Sequence, residues 1–183
     1  TLPVRLAPVQ VLGPADSTPA ALVEPGGVAA DAFGRVYVTD AARHRLVRFD
    51  PGGARLGEAG ALGSEEGDLR RPAGVTTMGS LGVAVLDREN RRVLLYDLFG
   101  RLAGVLADLA ALEDELGRVD PVGLAADRGG ALHVADAERD RVLVLDFTGQ
   151  YVSTLGGFGA AGGSPAAAWP LPSPPGRGGL AVA

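Results

Sequence analysis

Val36-Tyr37-Val38-Thr39-Asp40 recurs as Val83-Ala84-Val85-Leu86-Asp87 and as Leu132-His133-Val134-Ala135-Asp136, and a fourth start, Leu180-Ala181-Val182-Ala183, stands where the next Asp is due. The Asp residues are 47 apart (87 − 40) and 49 apart (136 − 87). Outward from this stretch the same phase holds. Fifteen residues before each Asp stands a proline (Pro25, Pro72, Pro121), followed two residues later by Gly27, Gly74 and Gly123. Five residues after each Asp an arginine (Arg45, Arg92, Arg141) opens an alternating apolar run, over 46–49, 93–96 and 142–145. Each run closes on Asp and then Gly three residues on (Asp50 and Gly53, Asp97 and Gly100, Asp146 and Gly149). That pattern suits a tight hairpin, since Asp bonds its own turn and Gly accepts positive φ.

A further strand follows each hairpin, at 56–59, 102–106 and 151–155. Four short strands per unit, a period in the forties and no sustained helical spacing predict an all-β propeller of four-stranded blades. A β-sandwich would not need the repeat, and a β-helix would use a shorter one. One stretch departs from this, 106–116, where Leu109, Leu112 and Leu116 stand at helical spacing and predict a short amphipathic helix packed on its own blade.

The phrases Gly63-Ser64-Glu65-Glu66-Gly67-Asp68-Leu69, Arg71-Pro72-Ala73-Gly74-Val75 and Val38-Thr39-Asp40-Ala41-Ala42-Arg43-His44-Arg45-Leu46-Val47-Arg48-Phe49-Asp50 resemble the NHL-repeat family of β-propellers, most clearly over residues 25–157. The resemblance implies the propeller fold. It leaves function open, because the family includes protein-binding and RNA-binding modules and a few metal-dependent relatives.

The repeat predicts one domain over residues 1–183: a lead-in over 1–24, complete repeats over 25–71, 72–120 and 121–168, and a partial closing repeat over 169–183. The last repeat replaces the Pro-x-Gly entry by Trp169-Pro170-Leu171-Pro172 and adds Pro174 and Pro175, which cannot donate to a ladder. Running the phase backwards puts an outer strand at 9–13, with 1–6 as a candidate third strand of the closing blade. A closed ring of about four blades is the preferred architecture. A fragment of a larger propeller, or a half-ring completed by a second copy in a homodimer, are the alternatives. The small inner-strand side chains (Val28-Ala29-Ala30, Val75-Thr76-Thr77, Leu124-Ala125-Ala126) favour few blades around a crowded axis.

The totals narrow the function classes. With 46% hydrophobic and 21% charged residues and no apolar run near 20 residues long, the chain reads as globular without a transmembrane helix. A net charge of -5 disfavours nucleic acid, which calls for a concentrated basic surface. All 17 basic residues are arginine and isoleucine is absent, a bias that reads as a GC-rich bacterial genome and lowers the functional weight of arginine identity. The absence of cysteine removes disulfides, thiolate metal sites and a thiol nucleophile. A start at Thr1 without a leader points to a processed or truncated form, and secretion or the periplasm is preferred to the cytoplasm.

Recurrence assigns Asp40–Arg45, Asp87–Arg92 and Asp136–Arg141 to architecture, as pairs that tie turns through charge-assisted hydrogen bonds. His44 lies in a turn and His133 in a strand, at different phases, so they are not expected to converge on a metal or an acid–base site. Asp31 and Asp127 read as turn formers. No phosphate-cradling loop exists, because Gly156-Gly157-Phe158-Gly159 and Gly162-Gly163 lack a lysine and a following helix. No catalytic, cofactor or metal residues are expected, although the resemblance keeps a metal-dependent lactonase- or lyase-like enzyme as the alternative.

Loops are more informative than strands. In such a blade the turn between strands two and three and the connection to the next blade share one face, and here both are charged. That face gives the candidate protein-binding set: Arg43, His44, Glu65, Glu66, Arg70, Arg71, Arg88, Glu89, Asn90, Arg91, Glu113, Glu115, Glu138, Arg139 and Asp140. The opposite face reads as plain glycine-rich hairpins. The expected function is a non-catalytic scaffold that binds a protein partner in an extracytoplasmic assembly, with the Gly/Ala/Pro-rich segment 156–179 as a long connection of unassigned role.

Overall fold

The computed structural model describes residues 21–157. The expectations for 1–6, 9–13 and the partial repeat 169–183, and with them closure of the ring, lie outside the described residues, as does most of the 156–179 segment.

Three antiparallel sheets follow one another along the chain, each four strands wide and each ordered as a meander. The first blade is β1 (Pro25–Ala30), β2 (Val36–Asp40), β3 (Arg45–Phe49) and β4 (Arg55–Ala59). The second is β5 (Pro72–Thr77), β6 (Val83–Asp87), β7 (Arg92–Tyr96) and β8 (Leu102–Asp108). The third is β9 (Pro121–Ala126), β10 (Leu132–Asp136), β11 (Arg141–Leu145) and β12 (Tyr151–Gly156). The innermost strands adjoin, with β5 between β1 and β9.

Local chemistry sets these boundaries. In the β1–β2 turn Asp31 Oδ1 accepts from the backbone N–H of Phe33 (2.9 Å) and Arg35 (3.0 Å), and in the β7–β8 turn Asp97 Oδ1 accepts from Phe99 and Arg101 (both 2.8 Å). Asp127 and Asp146 repeat the arrangement, so the turn-forming role read for Asp31 and Asp127 is what the structure contains.

The repeating Pro-x-Gly entry acquires a reason. A Cβ on Gly27 would stand 2.8 Å from the Val75 nitrogen, and one on Gly74 would stand 2.9 Å from Leu124 Cβ. Glycine lets neighbouring inner strands approach, so the small side chains serve lateral packing between blades. At one phase of the inner strands Val28 of β1 is 69% exposed and Val75 of β5 is buried, and the closed axis that the small inner-strand side chains favour involves residues outside those described.

The expected helix over 106–116 is also corrected. β8 continues to Asp108, with Ala107 opposite Val93 and Asp108 opposite Arg92. Asp108 Oδ1 then accepts from the N–H of Ala110 (3.0 Å), and only a 3₁₀ turn (Ala110–Leu112) and a single helical turn, α1 (Glu113–Leu116), follow. The leucine spacing reflects packing in a connection: Leu109 is fully buried, and Leu112 and Leu116 cover the core between the second and third blades.

Each blade meets the next through alternating side chains. Tyr37 and Leu46 of the first blade pack on Val83, Val85, Leu94 and Tyr96 of the second. Ala84, Leu86 and Val93 of the second pack on Leu132, Val134, Leu143 and Leu145 of the third. Burying such side chains contributes about 1.5–3 kcal/mol each.

Candidate functional site

Two devices build the loop-rich face. The first is the Asp–Arg pair. Asp40 accepts from Arg45 (Nη2 at 3.0 Å), Asp87 from Arg92 Nε (2.8 Å) and Asp136 from Arg141 Nε (2.7 Å), and each Asp faces its Arg across the β2–β3, β6–β7 or β10–β11 ladder. The same carboxylates accept from the backbone of the lead-in to each inner strand: Glu24 N–H (3.1 Å), Arg70 N–H (2.7 Å) and Asp120 N–H (2.8 Å). Arg92 further donates to the carbonyls of Ser64, Glu65 and Asp68, fixing the connection between the first and second blades. The pairs thus hold the loops of the face in place.

The second device is a set of ion pairs between loops. Arg88 grips Asp120 with two bonds of 2.9 Å, Arg91 Nη1 meets Glu113 at 3.1 Å, Arg70 meets Glu89 at 3.1 Å, and Arg71 meets Glu24 at 2.6 Å. The Arg88 hydrogen bond holds the Asp120 carboxyl below the usual carboxylate range, and the carboxylate in turn raises the Arg88 guanidinium. These partners are roughly two-fifths exposed, so they set geometry more than stability.

The predicted residues therefore separate into three groups. Arg70, Arg71, Arg88, Glu89, Arg91 and Glu113 are brought together and engage one another or neighbouring loops. Asn90 is engaged within the face, its amide donating to Gly63 carbonyl (2.9 Å) and Asp87 (2.8 Å). His44 Nδ1 accepts from the Arg71 N–H (3.0 Å), so that histidine joins blades. Arg43 lies beside it in the same turn and is engaged rather than free. Glu65, Glu66, Glu115, Glu138, Arg139 and Asp140 are exposed, and their side chains form no ion pair among the described residues. Nothing in the ion-pair set joins 65–66 to 138–140; they flank the face at different blades.

Sequence reading missed Glu24, Arg118 and Asp120. Arg118, Asp120 and Glu138 line, with Arg71, Arg88 and Arg91, an open cleft of about 440 Å³ at the loops of the second and third blades. Asp120 directly precedes Pro121, so its place before the proline was the available signal. Another signal lies in conformation: His44, Arg91 and Asp140 share one repeat phase and all have positive φ (53°, 50°, 50°). The turn imposes that backbone, which costs a non-glycine residue about 1 kcal/mol, whatever the side chain.

The two histidines stay apart in role. His133 Nε2 stands 3.6 Å from Asp127 Oδ2 on the third blade, whereas His44 belongs to a turn. Among the described residues no group of three or more His, Asp or Glu side chains is placed to hold a metal ion. None of the described helices is long and apolar enough to cross a membrane.

Three meandering four-stranded blades with adjoining inner strands define a protein of the β-propeller class. The NHL repeat family model matches residues 22–49. The chain is 31% identical over 126 residues to the human E3 ubiquitin-protein ligase NHLRC1, covering 68% of this chain and 30% of that protein. Among solved structures, a nidogen/laminin complex is similar with a TM-score of 0.59 at 22% identity, over 74% of this chain and 49% of that one. A streptogramin B lyase is similar with a TM-score of 0.56 at 19% identity, over 72% and 40%. At these identities the structural likenesses show the fold alone, and the chain spans less than half the length of each of these relatives. These matches bear out the resemblance to the NHL-repeat β-propellers that the repeat carries.

Proposed function

We propose that this chain is a non-catalytic propeller scaffold that binds a protein partner through its loop-rich face, in an extracytoplasmic assembly. The observation that carries the reading is the division of charge on that face: ion pairs between loops fix the frame, and a second set of exposed charges, Glu138 and Arg139 with Glu65, Glu66 and Glu115, forms no ion pair among the described residues. Preorganised charges of both signs favour orientation and selectivity toward a protein surface over bulk affinity. Two relatives, an E3 ubiquitin-protein ligase and nidogen in complex with laminin, accord with a role in protein interaction.

A photo-crosslinker placed at Arg118 and at Glu138 in the full chain, in extracts of the producing cell's envelope, is expected to yield one specific adduct. The charge-reversing pair Glu138→Arg with Arg139→Glu should abolish it. Turnover of a lactone or related ester that disappears on removing a stoichiometric metal would overturn the scaffold reading in favour of the enzyme alternative.

A further inference from the structure

The opposite face, made of the hairpin turns, carries a feature that the repeat does not explain. Phe33 stands where the other blades have Ser80 and Gly129, Arg35 where they have Gly82 and Ala131, and Phe99 where they have Gly52 and Thr148. These three departures come from two blades and converge. The Arg35 guanidinium carbon lies 5.1 Å from the centre of the Phe33 ring and 5.9 Å from that of Phe99. The rings themselves are 70% and 69% exposed. Two adjoining clefts of about 550 and 570 Å³ share Phe33 and Leu98; Pro51 lines one and Thr77 the other.

The arrangement is anchored from below. Arg35 Nε donates to Asp31 Oδ2 (2.7 Å), Asp31 also holds the Phe33 N–H, and the Tyr37 hydroxyl donates to Asp31 Oδ2 (3.0 Å) and lies 3.1 Å from the Leu98 carbonyl of the next blade. The guanidinium is therefore fixed by its Nε, while its two terminal amino groups make no hydrogen bond among the described residues. Exposed aromatic surface with a central, oriented donor is the composition of a recognition groove rather than of a solvated rim.

We infer that this groove docks a proline-rich, extended segment of a protein partner. An apolar helix spends its carbonyls internally and would leave the Arg35 donors idle. Strand addition needs an unpaired strand edge, and hairpin turns present none. A polyproline II segment supplies what the groove lacks: ring-sized apolar faces for Phe33 and Phe99, and unbonded carbonyls for the Arg35 amino groups.

The probe is a fluorescein-labelled peptide, Trp-Pro-Leu-Pro-Ser-Pro-Pro, a stretch that the chain itself carries at 169–175. Fluorescence anisotropy with the full chain should show saturable binding, lost when the prolines of the peptide are replaced by alanine. Phe33→Ala and Phe99→Ala should each weaken it about tenfold, as for an aromatic anchor, and Arg35→Ala by a similar factor. Thermal melts of Phe33→Ala and Phe99→Ala should match the parent, because the rings are exposed. Phe147→Ala, an exposed aromatic on the third blade's hairpin, should change nothing. The proposal is overturned by absence of saturable binding, by affinity indifferent to both Phe33→Ala and Phe99→Ala, or by an equal loss in Phe147→Ala. Sedimentation showing that Phe33→Ala and Phe99→Ala convert a dimer to a monomer would also overturn it, making the groove an interface between copies.

Discussion

The forward faces of the second and third blades present the same repeat positions in opposite circumstances. On the second blade Ala84, Leu86 and Val93 are fully buried beneath the third. On the third blade the equivalent His133, Ala135 and Val142 are only partly buried, with exposed Val122 and Leu155 beside an open apolar cleft. The inner strands agree: a Cβ on Gly27 or Gly74 would strike the next strand, whereas one on Gly123 would come no nearer than 3.4 Å to Ala135 of its own blade. Repeat phase thus decides which way a side chain points, and a neighbouring blade decides whether that direction is worth stability.

The Asp–Arg pairs offer the strongest test of this contrast. Arg92 keeps three carbonyl acceptors apart from Asp87, while Arg141 makes its hydrogen bond to Asp136, and its buried Nη2 has no partner among the described residues. Asp136→Ala should therefore cost about 3–5 kcal/mol by leaving a buried guanidinium unpaired. Asp87→Ala should cost less, and Asp136→Ala combined with Arg141→Leu should recover most of the loss. Urea unfolding checks all three; equal costs at the two Asp positions would break the comparison.

A second test uses the same chemistry at one phase. Val93→Ala removes fully buried methyls and should cost about 2–3 kcal/mol, whereas Val142→Ala on the open face should cost under about 1 kcal/mol. If the two match in denaturant midpoint, the third blade's forward face is covered in solution.

Tyr37 and His133 share a phase, and among the described residues only Tyr37 of the two reaches a following blade. Burial, together with the bond to Asp31, pushes its phenol up to about 12. Burial also works to raise the Asp31 carboxyl, but the bonds from Arg35, Tyr37 and the local backbone outweigh it and hold that group low. The phenol is favoured protonated in the fold, so its contribution is complete below about pH 10 and is lost as pH rises towards 12. Tyr37→Phe should cost about 1 kcal/mol at neutral pH and flatten that alkaline loss, measured as thermal midpoint against pH. His133→Phe should leave the alkaline profile unchanged.

The smallest effect is expected at the rim. Arg88→Ala should cost no more than about 1 kcal/mol, less at high salt. Because the Asp120 pKa is depressed, the contribution of this pair is present above the ordinary carboxylate pKa and is lost as pH falls through the lowered one. A loss that grows with salt would show the pair is not the cause.

Fold and site differed in how far the sequence disclosed them. Strands and hairpins followed from Asp, Gly and alternating apolar residues, since each turn is closed by bonds within about five residues. The helix expected over 106–116 failed because Leu109, Leu112 and Leu116 answer to two blades at once, a constraint between elements that mimics a helical period. On the loop-rich face, residue type and phase located the charges, but which of them are spent (Asn90, His44) and which are presented (Glu138, Arg139) depends on loops brought together from different repeats. The hairpin face reads as plain turns in the sequence, since Phe33, Arg35 and Phe99 lie up to 66 residues apart (99 − 33) and each looks like a stray substitution.

The sequence by itself determined the blade: its period, its turns and the phase of every side chain, because these rest on local hydrogen bonding and alternation. Tertiary structure alone decided which faces are covered, which charges are already paired and which three off-pattern residues meet, because burial and pairing are properties of neighbouring blades and not of a repeat read alone.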